Sequence, residues 1–140
     1  MQVTLLGKDR IDREWEAIEA RLQPALVQDP DFDLTALYGQ LLDGTALMFE
    51  VGEGANGLWV VSISEEGFDN LVAWTTAIAG QIEGGPKQRL AAMRHAVAAL
   101  ETTLKQAGVK AHRICGRYWG RVLHDYTPLE GARNGLEKVL

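Results

Sequence analysis

Leu71-Val72-Ala73-Trp74-Thr75-Thr76-Ala77-Ile78-Ala79-Gly80-Gln81-Ile82-Glu83-Gly84-Gly85-Pro86 is the stretch that decides the fold. Its first nine residues are apolar on both faces and rich in β-branched side chains, the composition of a central strand. The glycine-bearing turn from Gly80 to Gly85 follows, and Pro86 suits the first position of a helix, where its missing N–H costs nothing. Leu90, Met93, Val97, Leu100 and Leu104 then recur at three- and four-residue steps, one apolar face of a long amphipathic helix. Gly108 stops it, and Val109 to Cys115 is a second apolar strand. A strand that ends in glycines at a helix N-terminus points free N–H groups outward with the positive end of the helix dipole behind them, an arrangement suited to a phosphate.

Working back toward the N-terminus, Val3 to Leu6 is a short apolar strand stopped by Gly7. Ile11, Trp15, Ile18, Leu22 and Leu26 mark an amphipathic helix, which Pro24 should end or kink. Asp33 is a sound N-cap for a second helix carrying Leu34, Leu37, Tyr38, Leu41 and Leu42, and Gly44 stands where a left-handed cap is expected. Ala46 to Val51 and Leu58 to Ser64, joined by Gly52–Gly57, form a β-hairpin. Beyond Cys115, a short helix fits Tyr118 to Tyr126, Thr127 to Gly131 is a loop, and Leu136 to Leu140 is a last strand. The expected order is β-α-α-β-β-β-α-β-α-β in one domain spanning residues 1–140. This is an α/β (α+β) chain whose central mixed, mostly antiparallel sheet carries helices on both faces.

Composition narrows the function. A net charge of −5 argues against nonspecific binding to nucleic acid, which draws its affinity from Lys and Arg on phosphates. Lys105, Lys110, His112, Arg113, Arg117 and Arg121 thicken the positive charge locally, either as a functional patch or as scattered surface charge. Cys115 is the single cysteine, which rules out an internal disulfide, and its apolar neighbours predict a buried, inert thiol. His95, His112 and His124 show no metal-binding spacing. No apolar run approaches the roughly 18 residues of a membrane span, and no basic-then-apolar leader follows Met1. Trp15, Trp59 and Trp74, each within an apolar run, are expected in the core.

The order of elements is similar to that of the GCN5-related N-acetyltransferase (GNAT) fold. Three places carry a resemblance to a narrower group, the small GNAT-like proteins of tailed phages and prophages. They are Asp33-Leu34-Thr35-Ala36-Leu37-Tyr38-Gly39-Gln40-Leu41-Leu42-Asp43-Gly44, Leu58-Trp59-Val60-Val61-Ser62-Ile63, and the run from Ile114 through Gly116-Arg117-Tyr118-Trp119-Gly120-Arg121 to Tyr126. The last resembles that group's Gly-Arg-x-x-Trp-x-Arg-x-Leu-x-x-Tyr pattern with a spacing different by about one residue.

The resemblance implies a cleft where the strands Leu71–Ala79 and Val109–Cys115 splay apart around acetyl-CoA or another acyl-CoA. Ile78, Ala79, Gly80, Gln81, Gly84, Gly85, Lys87, Gln88 and Arg89 are the implied cofactor-binding residues. Gln81 and Gly84 match the family's turn. Pro86 removes one N–H donor from it, and Glu83 adds a negative charge that Lys87 and Arg89 offset. Each weakened charged hydrogen bond would cost about 1–3 kcal/mol.

The family's proton donor to the departing thiolate, a tyrosine, falls on Leu123 in this register. Tyr126 is then the candidate acid, or else a tyrosine packed beneath the sheet. Among Glu50, Ser62, Ser64, Thr75 and Thr76, only Glu50 titrates usefully, so it is the candidate base, or else a strand-end residue facing solvent. Arg117 and Trp119 either line the cleft or pack. Two functions stay open: an acyl-CoA-dependent N-acyltransferase of phage or prophage type with an unknown amine acceptor, or a non-catalytic virion or accessory protein from which CoA binding has been lost. Expected partners are an amine substrate or a phage protein, with no nucleic acid and no membrane. The expected location is the cytoplasm of a bacterial host, with packaging in a virion as the other outcome.

Overall fold

A computed structural model describes residues 3–52, 57–80, 84–116 and 119–140. The elements run β1 (Val3–Leu5), α1 (Lys8–Arg13), α2 (Trp15–Gln28), α3 (Leu34–Asp43), β2 (Ala46–Val51), β3 (Gly57–Glu65), β4 (Leu71–Ala79), α4 (Pro86–Gln106), β5 (Ala111–Ile114), β6 (Thr127–Pro128) and β7 (Leu136–Val139). The strands form one sheet in the order β1-β2-β3-β4-β5-β7-β6. Within it β4 and β5 run parallel, and the other neighbours pair antiparallel. The mixed, mostly antiparallel α/β fold expected from the sequence is the one observed.

Alternation along the strands divides the core between the two faces of the sheet. Met48, Leu58, Val60, Ala77 and Ala79 pack with Ile11, Ile18, Leu22, Ala25, Leu37 and Leu41 from α1, α2 and α3. On the other face Phe49, Trp59, Val61, Ala73 and Ile114 meet Val97, Leu100 and Leu104 of α4, and Trp119, Leu123 and Tyr126 join them. α3 is capped at both ends as its sequence requires. Asp33 Oδ1 accepts from the Thr35 and Ala36 N–H groups, and Gly44 takes φ +87°.

Four local expectations are corrected. The first helix is two, because the backbone leaves helical geometry at Glu14, and α2 continues four residues past Pro24. The helix expected over Tyr118–Tyr126 is a series of turns across its described residues 119–126. Trp119, Leu123 and Tyr126 are buried at helix-like spacing, but the turn donors at Val122 and Leu123 both reach Trp119 O. The loop after it contains the two-residue strand β6. Cys115 is exposed, because β5 and its pairing with β4 both end one residue earlier.

Candidate active site

The site begins where β4 and β5 part. Their parallel ladder runs from Val72–Ala111 to Thr75–Ile114 and ends there, while β4 continues to Ala79. The register of β3 against β4 shifts at the same level: Val60 lies opposite Ala77 and Val61 opposite Thr75, which leaves Thr76 as the extra residue of a bulge. Thr76 Oγ1 donates to Val60 O at 3.3 Å, which holds the bulge.

A cavity of about 1030 Å³ occupies the gap. Trp74, Thr75, Thr76, Ala77 and Ile78 form one wall, and Ile114, Cys115 and Gly116 form the other. Ala25 and Phe32 reach it from the α2–α3 side and Trp119 from the α4 side, so residues from both faces of the sheet line the cavity. Arg113 braces the Trp74 wall. Its guanidinium lies 5.4 Å from the Trp74 ring centroid and pairs with Glu137 at 2.5 Å and Glu66 at 2.7 Å. These carboxylates raise the Arg113 pKa. The run of basic residues seen in the sequence is therefore not one patch, because Arg113 is neutralised and His112 is fully buried.

Beyond the cavity the expected cofactor residues follow in chain order. Ile78 lines the cavity, Ala79 is buried, and Gly80 takes φ +91°. Gln81, and Glu83 beside it, lie outside the described residues, as does Arg117. Gly84 takes φ +114°, and Gly85 stands before α4. The Gly85 N–H already donates to Gln88 Oε1 at 2.7 Å, so Gln88 caps the helix that it was expected to help open to a phosphate. Lys87 and Arg89 are exposed on the first turn.

The two catalytic candidates are not together. Glu50 lies toward α1 and α2, where it accepts from Arg10 at 2.5 Å and Arg21 at 3.0 Å, and it does not line the cavity. Burial pushes its carboxyl up, but the hydrogen bonds from Arg10 and Arg21 prevail and hold it below the usual carboxylate range. Tyr126 is buried behind the cavity. Its hydroxyl lies 2.6 Å from His112 Nδ1 and donates to Glu101 Oε1 at 3.1 Å. Burial, with the Glu101 charge beside it, raises its pKa well above that of an ordinary tyrosine.

Sequence reading missed the group that connects Tyr126 to the cavity. His112 Nε2 sits 2.7 Å from Thr75 Oγ1, so the chain Thr75–His112–Tyr126–Glu101 is continuous. Burial lowers the His112 pKa to about 4. Glu101 Oε2 in turn accepts from Lys138 at 2.9 Å, and Lys138 also pairs with Asp125 at 2.5 Å. The signal available in the sequence was weak: Thr75 and His112 each lie within a strand, but Thr76 and Arg113 beside them are polar as well. Trp119, expected either to line the cleft or to pack, does both: it is buried and borders the cavity, and its Nε1 has no hydrogen-bond partner among the described residues. Among the described residues no cluster could hold a metal, and no helix is long and apolar enough to cross a membrane.

This architecture is the GNAT acetyltransferase fold. An aminoglycoside 6'-acetyltransferase of type Ii superposes with a TM-score of 0.67 at 6% identity, over 99% of this chain and 97% of that one. The matching chain in the NatC complex bound to Gag peptide and CoA gives 0.63 at 10%, over 100% and 99%. FeeM, an N-acyl amino acid synthase from uncultured soil microbes, gives 0.60 at 11%, over 99% and 95%. No family model matches the sequence, and no curated protein is similar to it.

Proposed function

We propose that this protein is an acyl-CoA-dependent N-acyltransferase that works at the β4–β5 gap on an amine of unidentified structure. The observation that carries the reading is the ladder ending at Thr75–Ile114 beside a cavity lined from both faces of the sheet. An acyl thioester and an amine must meet from separate directions, and such a gap admits one from each side.

The residues present fit the coenzyme. β4 beyond Thr75 has a backbone edge without its β5 partner, available to amide groups of a pantetheine arm. Ala77, Ile78, Ile114 and Trp119 give that arm an apolar wall, and Trp119 Nε1, without a partner among the described residues, is a donor suited to a carbonyl. Lys87 and Arg89 on the first turn of α4 would face a pyrophosphate. When bound, the coenzyme supplies the activated acyl carbon. The protein's part is to hold the amine, exclude water and accept a proton. Titration calorimetry with CoA and acetyl-CoA tests the reading. Micromolar to submillimolar binding is expected, and no heat at millimolar ligand would remove it.

The second reading, a non-catalytic phage or virion component with this fold, draws on one observation: Gln88 occupies the Gly85 N–H that a phosphate would use. Fixed-stoichiometry co-purification with phage particles, together with an absence of CoA binding, is its test.

A further inference from the structure

We infer that Thr75 is a catalytic residue that takes the proton shed by the amine and passes it into the protein through His112, Tyr126 and Glu101, which act as positioning residues behind it. This inference rests on the acyl-transfer reading above. Thr75 is the only member of the chain that lines the cavity. The three contacts behind it measure 2.7, 2.6 and 3.1 Å.

Donor counting gives the chain a direction. A carboxylate only accepts, and a tyrosine hydroxyl has one hydrogen. Tyr126 gives that hydrogen to Glu101, so its oxygen must accept from His112 Nδ1–H. A neutral imidazole with Nδ1 protonated has a bare Nε2, and that nitrogen must accept from the Thr75 hydroxyl. Every link then points from the cavity toward Glu101. Reversed, the imidazole would give its proton to Thr75 and Tyr126 would have none left for Glu101.

The transfer balances without charging the ring. As the amine nitrogen bonds to the acyl carbon, the C–S bond breaks and one N–H proton moves to Thr75 Oγ1. The Thr75 proton passes to Nε2, the Nδ1 proton to Tyr126, and the Tyr126 proton to Glu101, leaving one neutral carboxyl and an imidazole of the other tautomer. The side chain of Glu101 is 14% exposed beside the half-exposed Lys138, which gives the proton a way out to solvent. The thiolate takes its own proton from water. A fully buried histidine with no free position for a substrate has this use in a site that Glu50 does not enter.

Long-range proton–nitrogen spectra of the 15N-histidine-labelled protein, CoA calorimetry, and thiol release from acetyl-CoA with n-butylamine as probe acceptor test the inference together. Expected are the Nδ1–H tautomer of His112 in the wild type and its conversion to Nε2–H in Tyr126→Phe. Thr75→Val should lose about 100-fold in thiol release, the scale of proton-transfer catalysis, with CoA binding unchanged, and Thr75→Ser should recover the rate. An Nε2–H tautomer in the wild type overturns the relay. So does Thr75→Val turning over as fast as wild type while CoA still binds, an outcome that leaves the acyl-transfer reading intact. Absence of CoA binding removes that reading, and the relay falls with it.

Discussion

Thr75 faces Ile114 across the last rung between β4 and β5, and past that pair the two strands share no ladder. The bulged Thr76 is exposed and borders the opening, so a large side chain there should obstruct the gap without entering the core. Thr76→Trp is expected to weaken CoA binding by tenfold or more, about 1.4 kcal/mol, with little change in Tm. Calorimetry beside a thermal melt checks both.

Cys115 offers a chemical probe of the same place. It is the single cysteine, exposed and on the cavity wall. Alkylation by iodoacetamide should be slowed by saturating desulfo-CoA, which has no thiol to consume the reagent, and unaffected by adenosine alone. Mass spectrometry of the intact chain over time reads the rate, and equal rates with and without desulfo-CoA would place the coenzyme elsewhere.

Glu50 serves stability. Replacing it with Gln removes the negative charge between Arg10 and Arg21, and such a loss at a buried, hydrogen-bonded carboxylate costs about 1–3 kcal/mol. Urea denaturation of Glu50→Gln should show that loss, while CoA binding stays as in the wild type. A stable variant without catalysis would return Glu50 to the reaction.

His112 predicts an acid weakness. Its folded pKa of about 4 lies below the 6.5 of an exposed imidazole, so the unfolded chain binds the proton more readily between those values. The stabilisation is complete above pH 6.5 and declines as the pH falls to about 4, a total of about 3 kcal/mol from the difference in pKa. The depressed carboxylates Glu50, Asp43 and Asp125 add their losses at lower pH, below their ordinary values near 4. Urea midpoints measured from pH 7.5 to 4.5 should therefore fall, and a flat profile would contradict the buried neutral ring.

Gln88 is expected to compete with a bound phosphate. Gln88→Ala frees the Gly85 N–H and should cost about 0.5–2 kcal/mol of stability as a lost helix cap. CoA affinity should rise or hold. A fall would show that Gln88 itself contacts the ligand.

The fold was legible wherever the signal was periodic or a cap. The nine residues of β4, the Pro86 start of α4 and the Asp33 and Gly44 ends of α3 all stand where their local chemistry puts them. Legibility failed at Trp119–Tyr126, where burial of Trp119, Leu123 and Tyr126 imitates a helix although the backbone turns. The cavity wall at Ile78 followed from strand order, but the placement of Glu50 did not, because its partners Arg10 and Arg21 are remote in sequence. Nor did the His112 network, whose members span residues 75 to 126 and meet only once β5 lies beside β4. A buried histidine must have a partner, but its sequence neighbours do not say which.

The extra residue at Thr76 has an effect on inheritance as well as on shape. Ahead of it Ala73 belongs with α4, and after it Ala77 and Ala79 belong with α2 and α3. Removing the codon for Thr76 would restore plain alternation, with Ala77 following Thr75 opposite Val60, and would leave Ile78 and both alanines in their present layers. What such a deletion erases is the bulge beside the opening, so a shorter strand can keep the core of this fold while losing the irregularity at its site.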